Sequence, residues 1–193
     1  MKIIANAKNG KKTGDGTGVG LFIPVSGAIA EVFPSLGNED KSPPHTTFLY
    51  IGDITKEQEP LLIQTIQKVL EGFRSPVTAY FGGMEYFVHP AKESRVAITP
   101  VRFDADLASI RWNVRSALID AGFDVKDSFP LVYRPHVTLS YGGLYEEYQG
   151  VVPSGKWSFS GMEVWGLPSV YYIPFGAVNQ RVAKRWILKR KSI

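Results

Sequence analysis

A seven-residue pattern that occurs twice constrains the fold of this chain more than any other feature. The pattern Pro-His-x-Thr-apolar-x-Tyr stands at 44–50 and again at 135–141, each time followed within two residues by glycine. Its two copies contain two of the three histidines and lie 91 residues apart, nearly half of the 193-residue chain. Both copies read as β-strands, so the sequence predicts two similar strands that come together in one domain.

Strand geometry predicts which side chains of each copy act together. Residues i and i+2 of a strand point to the same face. His45 and Thr47 should therefore share one face, and His136 and Thr138 should share one face of the second strand. The intervening apolar residues, with Tyr50 and Tyr141, are expected on the opposite face, packed against a helix. Two such strands side by side would present two imidazoles and two hydroxyls to one cleft.

The remaining segments predict an α+β fold. Helices are expected over 55–73, capped by Thr55 with Pro60 in its first turn, and from a cap at Asp104 to Gly122. Further strands are predicted at 19–25, 77–88 (broken at Gly82-Gly83), 95–99, 156–165, 169–175 and 182–189. Since each helix sits between strands, we expect an α+β domain of two sheet-and-helix lobes. The expected organisation is a flexible lead-in over 1–18, one bilobal domain over 19–180 and a basic strand or tail over 181–193.

Composition and charge narrow the possible functions. The chain has no cysteine, which excludes disulfides, a thiol nucleophile and thiolate metal sites. It has no signal-like or membrane-spanning apolar run, so we expect a cytoplasmic protein with no membrane partner. The first 12 residues carry four basic and no acidic side chains, and residues 181–193 carry six basic and none acidic. These basic ends could attract phosphate-rich partners or could simply be solvated.

The paired histidines and threonines suit phosphodiester cleavage without a metal ion. A neutral imidazole can accept a proton from the attacking oxygen, and an imidazolium can donate one to the leaving oxygen. Threonine hydroxyls can donate hydrogen bonds to the non-bridging phosphate oxygens. We therefore predict that His45 and His136 are catalytic and that Thr47 and Thr138 bind substrate, with no cofactor and no metal. Which histidine is the base and which is the acid stays open at this point.

The paired His-x-Thr-apolar pattern resembles the signature of the 2H phosphoesterase superfamily, the LigT-like and cyclic phosphodiesterase fold. The matching residues are His45 with Thr47 and His136 with Thr138, and the resemblance spans about 19–175. It implies two pseudo-symmetric lobes that form a bilobal fold around a central cleft, with the motifs on central strands. It implies metal-independent hydrolysis of 2′,3′-cyclic phosphates, 2′,5′ linkages or cyclic di- and oligonucleotides, with RNA ends as further partners. The family includes phage proteins that destroy cyclic-oligonucleotide defence signals, so countering such immune signalling is among the implied roles, in the host cytoplasm if the protein is viral.

Other interpretations remain open. The same cleft could sequester nucleotides or RNA ends without cleaving them, or it could be a relic in a viral structural or assembly protein. A metal site on the two histidines lacks an acidic residue at a matching spacing. His89 has no threonine two residues on and is read as a surface loop residue. Arg134 could attract phosphate or lie at a loop end, and the four tryptophans are expected in the core or on the sheet surface. Tyr50 and Tyr141 could stack on nucleobases, but strand alternation favours packing on the core face.

Overall fold

The computed structural model describes residues 18–33, 43–73, 76–89, 93–126 and 133–176. Within these ranges the chain forms nine strands, two α-helices and a short 3-10 helix at Ala28–Val32. The strands are β1 (Val19–Pro24), β2 (His45–Gly52), β3 (Val77–Phe81), β4 (Glu85–His89), β5 (Ser94–Phe103), β6 (His136–Gly143), β7 (Lys156–Phe159), β8 (Gly161–Trp165) and β9 (Tyr171–Pro174). The helices are α1 (Glu59–Leu70) and α2 (Leu107–Asp120).

All nine strands belong to one antiparallel sheet in the order β7-β3-β5-β6-β2-β1-β8-β9, and β4 pairs with β5 outside this order. The two strands that carry the repeated pattern, β2 and β6, are neighbours at the centre of the sheet. The α+β class and the predicted meeting of the two motif strands are therefore confirmed. The predicted strand at 182–189, the lead-in up to residue 17 and the tail at 181–193 lie outside the described residues.

The two helices pack against each other and cover one face of the sheet. Leu62, Ile66 and Leu70 of α1 are fully buried, as their spacing on one helix face requires. The corresponding residues of α2 are buried in the same way, and they are Leu107, Ile110, Val114 and Leu118. The opposite face of the central strands is left uncovered by the helices and holds the polar motif residues.

Two helix starts differ from the prediction because side chains near them have other partners. The side chain of Gln58 accepts a hydrogen bond from the Thr55 amide, and the helix proper begins only at Glu59, with Pro60 in its first turn as required. Asp104 does not cap α2, because its carboxylate accepts a hydrogen bond from the amide of Thr78 on β3. The cap is Asp106, which accepts from the Ser109 amide at 3.0 Å.

The C-terminal end of α2 depends on a glycine. Gly122 has φ of 89°, and the amide of Phe123 donates to the Leu118 carbonyl at 3.0 Å, which is the bond of a Schellman motif. A Cβ added at Gly122 would meet no atom within 4 Å, so the cost of a side chain there comes from the backbone conformation alone.

We expect Gly122→Ala to lower the free energy of unfolding by about 1 kcal/mol, because an L-residue is strained in the left-handed region. Gly72→Ala, at the end of α1, is the matched control. Gly72 has no positive φ and its Cβ would lie 3.9 Å from the nearest atom, so this change should leave stability equal or slightly higher. Urea unfolding of both variants measures the difference, and equal losses would contradict the assigned helix end.

Candidate active site

The pairing of β2 with β6 brings the two histidine motifs together. Thr46 stands opposite Val137, and both are fully buried on the helix-covered face. Extending this antiparallel register by one residue in each direction places His45 opposite Thr138 and Thr47 opposite His136. Residues in such opposite positions have Cβ atoms about 4.5–5.5 Å apart, and diagonal neighbours lie about 7–8 Å apart. The two imidazoles thus occupy one diagonal of a four-residue group and the two hydroxyls occupy the other.

We call this group the His–Thr tetrad, consisting of His45, Thr47, His136 and Thr138. All four side chains are half-buried, in contrast to the fully buried residues between them. The structure therefore places all four predicted site residues on one face of adjacent strands, as strand alternation required.

The two histidine rings are anchored in the same way. Nδ1 of His45 lies 2.8 Å from the carbonyl oxygen of Pro43, and Nδ1 of His136 lies 2.9 Å from the carbonyl oxygen of Arg134. A carbonyl oxygen only accepts hydrogen bonds, so each Nδ1 must carry the hydrogen. In the neutral ring this leaves Nε2 as the proton acceptor, and in the charged ring it leaves Nε2–H as a donor. Both rings are thereby oriented for proton transfer through Nε2.

Aromatic side chains surround the His45 ring. Phe22 and Trp165 meet it edge-on at centroid distances of 5.1 and 4.7 Å, and they stack on each other at 4.4 Å. The Trp165 indole is held by a hydrogen bond from Nε1 to the carboxylate of the buried Glu163 at 2.8 Å. Gly20 makes room for this stack, because a Cβ there would lie 2.6 Å from the Phe22 ring.

His136 has different neighbours. The Phe87 ring meets it edge-on at 4.8 Å, and the exposed Arg134 forms an ion pair with Glu85 at 3.1 Å beside it. Burial lowers the pKa of His136, the hydrogen bond to the Arg134 carbonyl raises it, and the nearby Arg134 charge lowers it, with a net shift below the usual 6.5. His136 is therefore biased towards the neutral form near pH 7.

The two motif tyrosines do not lie on the helix-covered face, so that prediction is wrong. β1 pairs with Thr47 and then with Leu49, skipping Phe48, and β5 pairs with Thr138 and then with Ser140, skipping Leu139. One extra residue in a strand reverses the alternation that follows it. As a result Tyr50 and Tyr141 return to the face of the tetrad, and Tyr141 is 68% exposed.

A cleft open to solvent lies next to His136 and Thr47, and three of its lining residues come from outside the motifs, namely Arg111, Tyr133 and Arg134. The buried Arg111 reaches it from α2 and donates from Nε to the Phe48 carbonyl at 2.8 Å. Tyr133 donates from its hydroxyl to the Thr47 carbonyl at 3.3 Å, with the Arg111 guanidinium 5.1 Å from its ring centroid. Neither Arg111 nor Tyr133 was predicted from the sequence. Arg111 could have been found, since it is a charged residue within the apolar stripe of α2.

The remaining candidate residues are placed as follows. Trp157 and Trp165 are buried, as expected for core tryptophans, and the Trp165 ring also contacts His45. Trp112 is exposed on α2, contrary to the expectation of a position in the core or on the sheet. Trp186 lies outside the described residues. His89 lies at the end of β4 rather than in a loop. The described part of the chain contains no cluster of three or more histidine or acidic side chains arranged for a metal ion, and none of its helices is long and apolar enough to cross a membrane.

Comparison with known proteins identifies the fold. No protein-family model matches the sequence, and no curated protein matches it significantly. Among solved structures, TT0787 of Thermus thermophilus aligns with a TM-score of 0.56 and 13% identity over 80% of this chain and 97% of its own. Usb1 of Kluyveromyces marxianus aligns with a TM-score of 0.53 and 8% identity over 83% and 99% of the two chains, and its structure with uridine monophosphate aligns at 0.50, with 10% identity over 81% and 98%.

The environment of His136 predicts its titration. We expect an NMR titration to give His136 a pKa below 6.5, and Arg134→Gln to raise it, because the variant removes a nearby positive charge. Arg134→Lys is the control, since it keeps the charge, and both variants keep the backbone carbonyl that accepts from Nδ1.

The same shift affects stability. A histidine whose pKa is lower in the folded state binds its proton more readily when unfolded, so the fold should lose stability as the pH falls below about 6.5 towards the folded pKa. A titration of His136 above 6.5 would contradict the assigned environment.

Proposed function

We propose that this chain, which has the 2H phosphoesterase fold shared by TT0787 and Usb1, is a metal-independent phosphodiesterase whose chemistry is carried by the His–Thr tetrad. The observation that supports this most directly is the pairing of Thr46 on β2 with Val137 on β6. Extended by one residue in each direction, this register sets each histidine opposite the threonine of the other motif. At 13% identity or less, the likeness to these structures concerns the fold, so the activity is argued from the site.

The proposed reaction is an in-line displacement at phosphorus. An oxygen of water or of a ribose hydroxyl forms a bond to phosphorus as one imidazole Nε2 takes its proton. The bond from phosphorus to the leaving oxygen breaks as the Nε2–H of the other imidazole donates a proton to that oxygen. The hydroxyls of Thr47 and Thr138 donate to the two non-bridging oxygens and hold the phosphorus between the rings.

The surroundings of the rings favour one assignment of these roles. A general base must be neutral in the resting enzyme, and burial, together with the smaller effect of the Arg134 charge, lowers the pKa of His136 and so favours its neutral form. We therefore propose His136 as the base and His45 as the acid for hydrolysis, with the roles exchanged in the reverse direction. Each proton transfer is worth about 10²–10⁴-fold in rate.

The proposed substrates are small RNA-like molecules. They comprise cyclic di- and oligonucleotides, 2′,3′-cyclic phosphates, 2′,5′ linkages and RNA ends, and destruction of a cyclic-nucleotide immune signal would be one use of the activity. The structure of Usb1 with uridine monophosphate shows a nucleotide bound to a protein of this fold. We also propose a pseudo-twofold relation between two lobes. The central, neighbouring positions of the two motif strands in the sheet support it. The proposed location is the cytoplasm.

Mutation of the tetrad tests the proposal. We expect His45→Ala and His136→Ala each to lower kcat by at least about 10²–10⁴-fold, since each removes a proton-transfer group. Thr47→Val and Thr138→Val should lower kcat/KM by about 10²–10³-fold, because each removes a donor to the developing phosphate charge. The assay is a panel of 2′,3′-cyclic nucleotides, 2′,5′- and 3′,5′-linked dinucleotides, and cyclic di- and trinucleotides.

His89→Ala is the control and should keep full activity, and EDTA should change nothing. Circular dichroism checks that each variant is folded. Full turnover in either single histidine variant would refute the proposed chemistry, and binding of unaltered nucleotide without cleavage by the wild-type protein would identify a sequestering module instead.

A further inference from the structure

We propose that Tyr50 and Tyr141 are base-stacking residues at the two ends of the His–Thr tetrad, so that the substrate is a phosphodiester with a nucleoside on each side. This inference rests on the proposed function and narrows its substrate class. It disfavours a terminal 2′,3′-cyclic phosphate, which has one nucleoside, as the best substrate.

The same irregularity occurs in both motif strands. In a regular strand, the tyrosine five residues after each histidine would point away from it. The skipped residues, Phe48 in β2 and Leu139 in β6, each fall between the threonine and the tyrosine. A bulge is a recognised device for re-aiming a side chain next to an active site, and here two bulges aim two equivalent tyrosines at one face.

The contacts of neighbouring residues support this orientation independently. The Tyr50 ring lies 6.1 Å from the Phe22 ring, which also meets His45, and Tyr50 lines the cleft together with Thr47 and His136. On the other side, cross-strand partners share a face of the sheet. Tyr141 is paired with Val96, and Val96 is paired with Phe87, whose ring meets His136.

The antiparallel pairing of β2 with β6 puts the two tyrosines at opposite ends of the tetrad. Tyr50 follows Thr47 in the direction away from His45, whereas Tyr141 follows Thr138 in the opposite direction along the sheet. Counting strand positions and allowing for the two bulges, their Cα atoms are about 20 Å apart along the strands, with the tetrad midway. A phosphate held in the tetrad would thus have one aromatic ring on each side.

The chemical character of the two positions fits a nucleobase. Tyr141 exposes 68% of its surface beside a polar site, and Tyr50 is half-buried at the edge of the cleft. Every nucleobase has a π-face that can stack on a tyrosine ring, with an effect of about 10- to 100-fold on affinity per base. Two stacking residues on either side of one phosphate therefore favour a dinucleotide unit, linear or cyclic, over a mononucleotide.

The test uses dinucleoside monophosphates in which 2-aminopurine replaces either the first or the second base, in 3′,5′- and 2′,5′-linked forms. The protein carries His136→Ala so that the ligand is not cleaved, and binding is followed separately by calorimetry and by 2-aminopurine fluorescence. We expect both label positions to be quenched on binding. Tyr50→Leu should relieve the quenching at one position and Tyr141→Leu at the other, each with a rise in Kd of about 10- to 100-fold.

Further variants separate stacking from structural effects. Tyr50→Phe and Tyr141→Phe keep the ring and should stay within about threefold of the parent Kd. Tyr145→Leu is the matched control, since Tyr145 is 91% exposed in the turn after β6, and it should change nothing. For a 2′,3′-cyclic mononucleotide, only one of the two leucine variants should weaken binding.

Tight binding of a dinucleotide without quenching at either position, or with Kd unchanged in both leucine variants, would overturn the stacking inference while leaving the phosphodiesterase proposal intact. Failure of the parent protein to bind any nucleotide of the panel would overturn both. Equal affinity for mononucleotide and dinucleotide would overturn the assignment of two base sites.

Discussion

The antiparallel pairing of β2 with β6 is the contact on which the rest of the site depends. The described residues join the two strands where Thr46 faces Val137, and this one position sets four polar side chains against each other. A shift of the register by one residue would turn one motif towards the helices and bury its histidine. The helices favour the observed register because they require apolar side chains on their side of the sheet, and Phe48 and Val137 satisfy this requirement. Thr46 is the exception, since its hydroxyl is buried there without a hydrogen-bond partner in the described part of the chain.

The periodicity of the sequence predicts the face of each motif residue near the histidine, because two-residue alternation holds from His45 to Phe48 and from His136 to Leu139. The alternation fails beyond Phe48 and Leu139, where each strand has a bulge. A bulge depends on the pairing with the partner strand, so it could not be predicted from this single sequence. Tyr50 and Tyr141 are on the face of the tetrad for this reason. The helix starts differ from the prediction because nearby side chains bind other groups. The Asp104 carboxylate, for example, accepts a hydrogen bond from the Thr78 amide and does not cap α2.

Several residues that contact the histidines or the backbone of β2 lie outside the two repeated motifs. Phe22 of β1 and Trp165 of β8 contact His45, and Glu163 holds the Trp165 indole by a hydrogen bond. Arg111 reaches the backbone of β2 from a helix. Their positions follow from the order of strands in the sheet, which a single sequence does not reveal. The surroundings of the two histidines therefore differ although their motifs match, and this difference underlies the division of acid and base roles that we propose.

The hydrogen bond from Nδ1 of each histidine to a backbone carbonyl bears on how far the sequences of proteins with this fold can diverge. The carbonyls of Pro43 and Arg134 that accept from Nδ1 belong to the chain immediately before each histidine, and a proline stands between donor and acceptor in both cases. Since proline restricts the backbone on both of its sides, the aim of each ring is determined within three consecutive residues. Mutational drift in distant helices and strand edges would leave that aim unchanged, so relatives whose overall sequences have become unrecognisable could retain the same proton-transfer geometry.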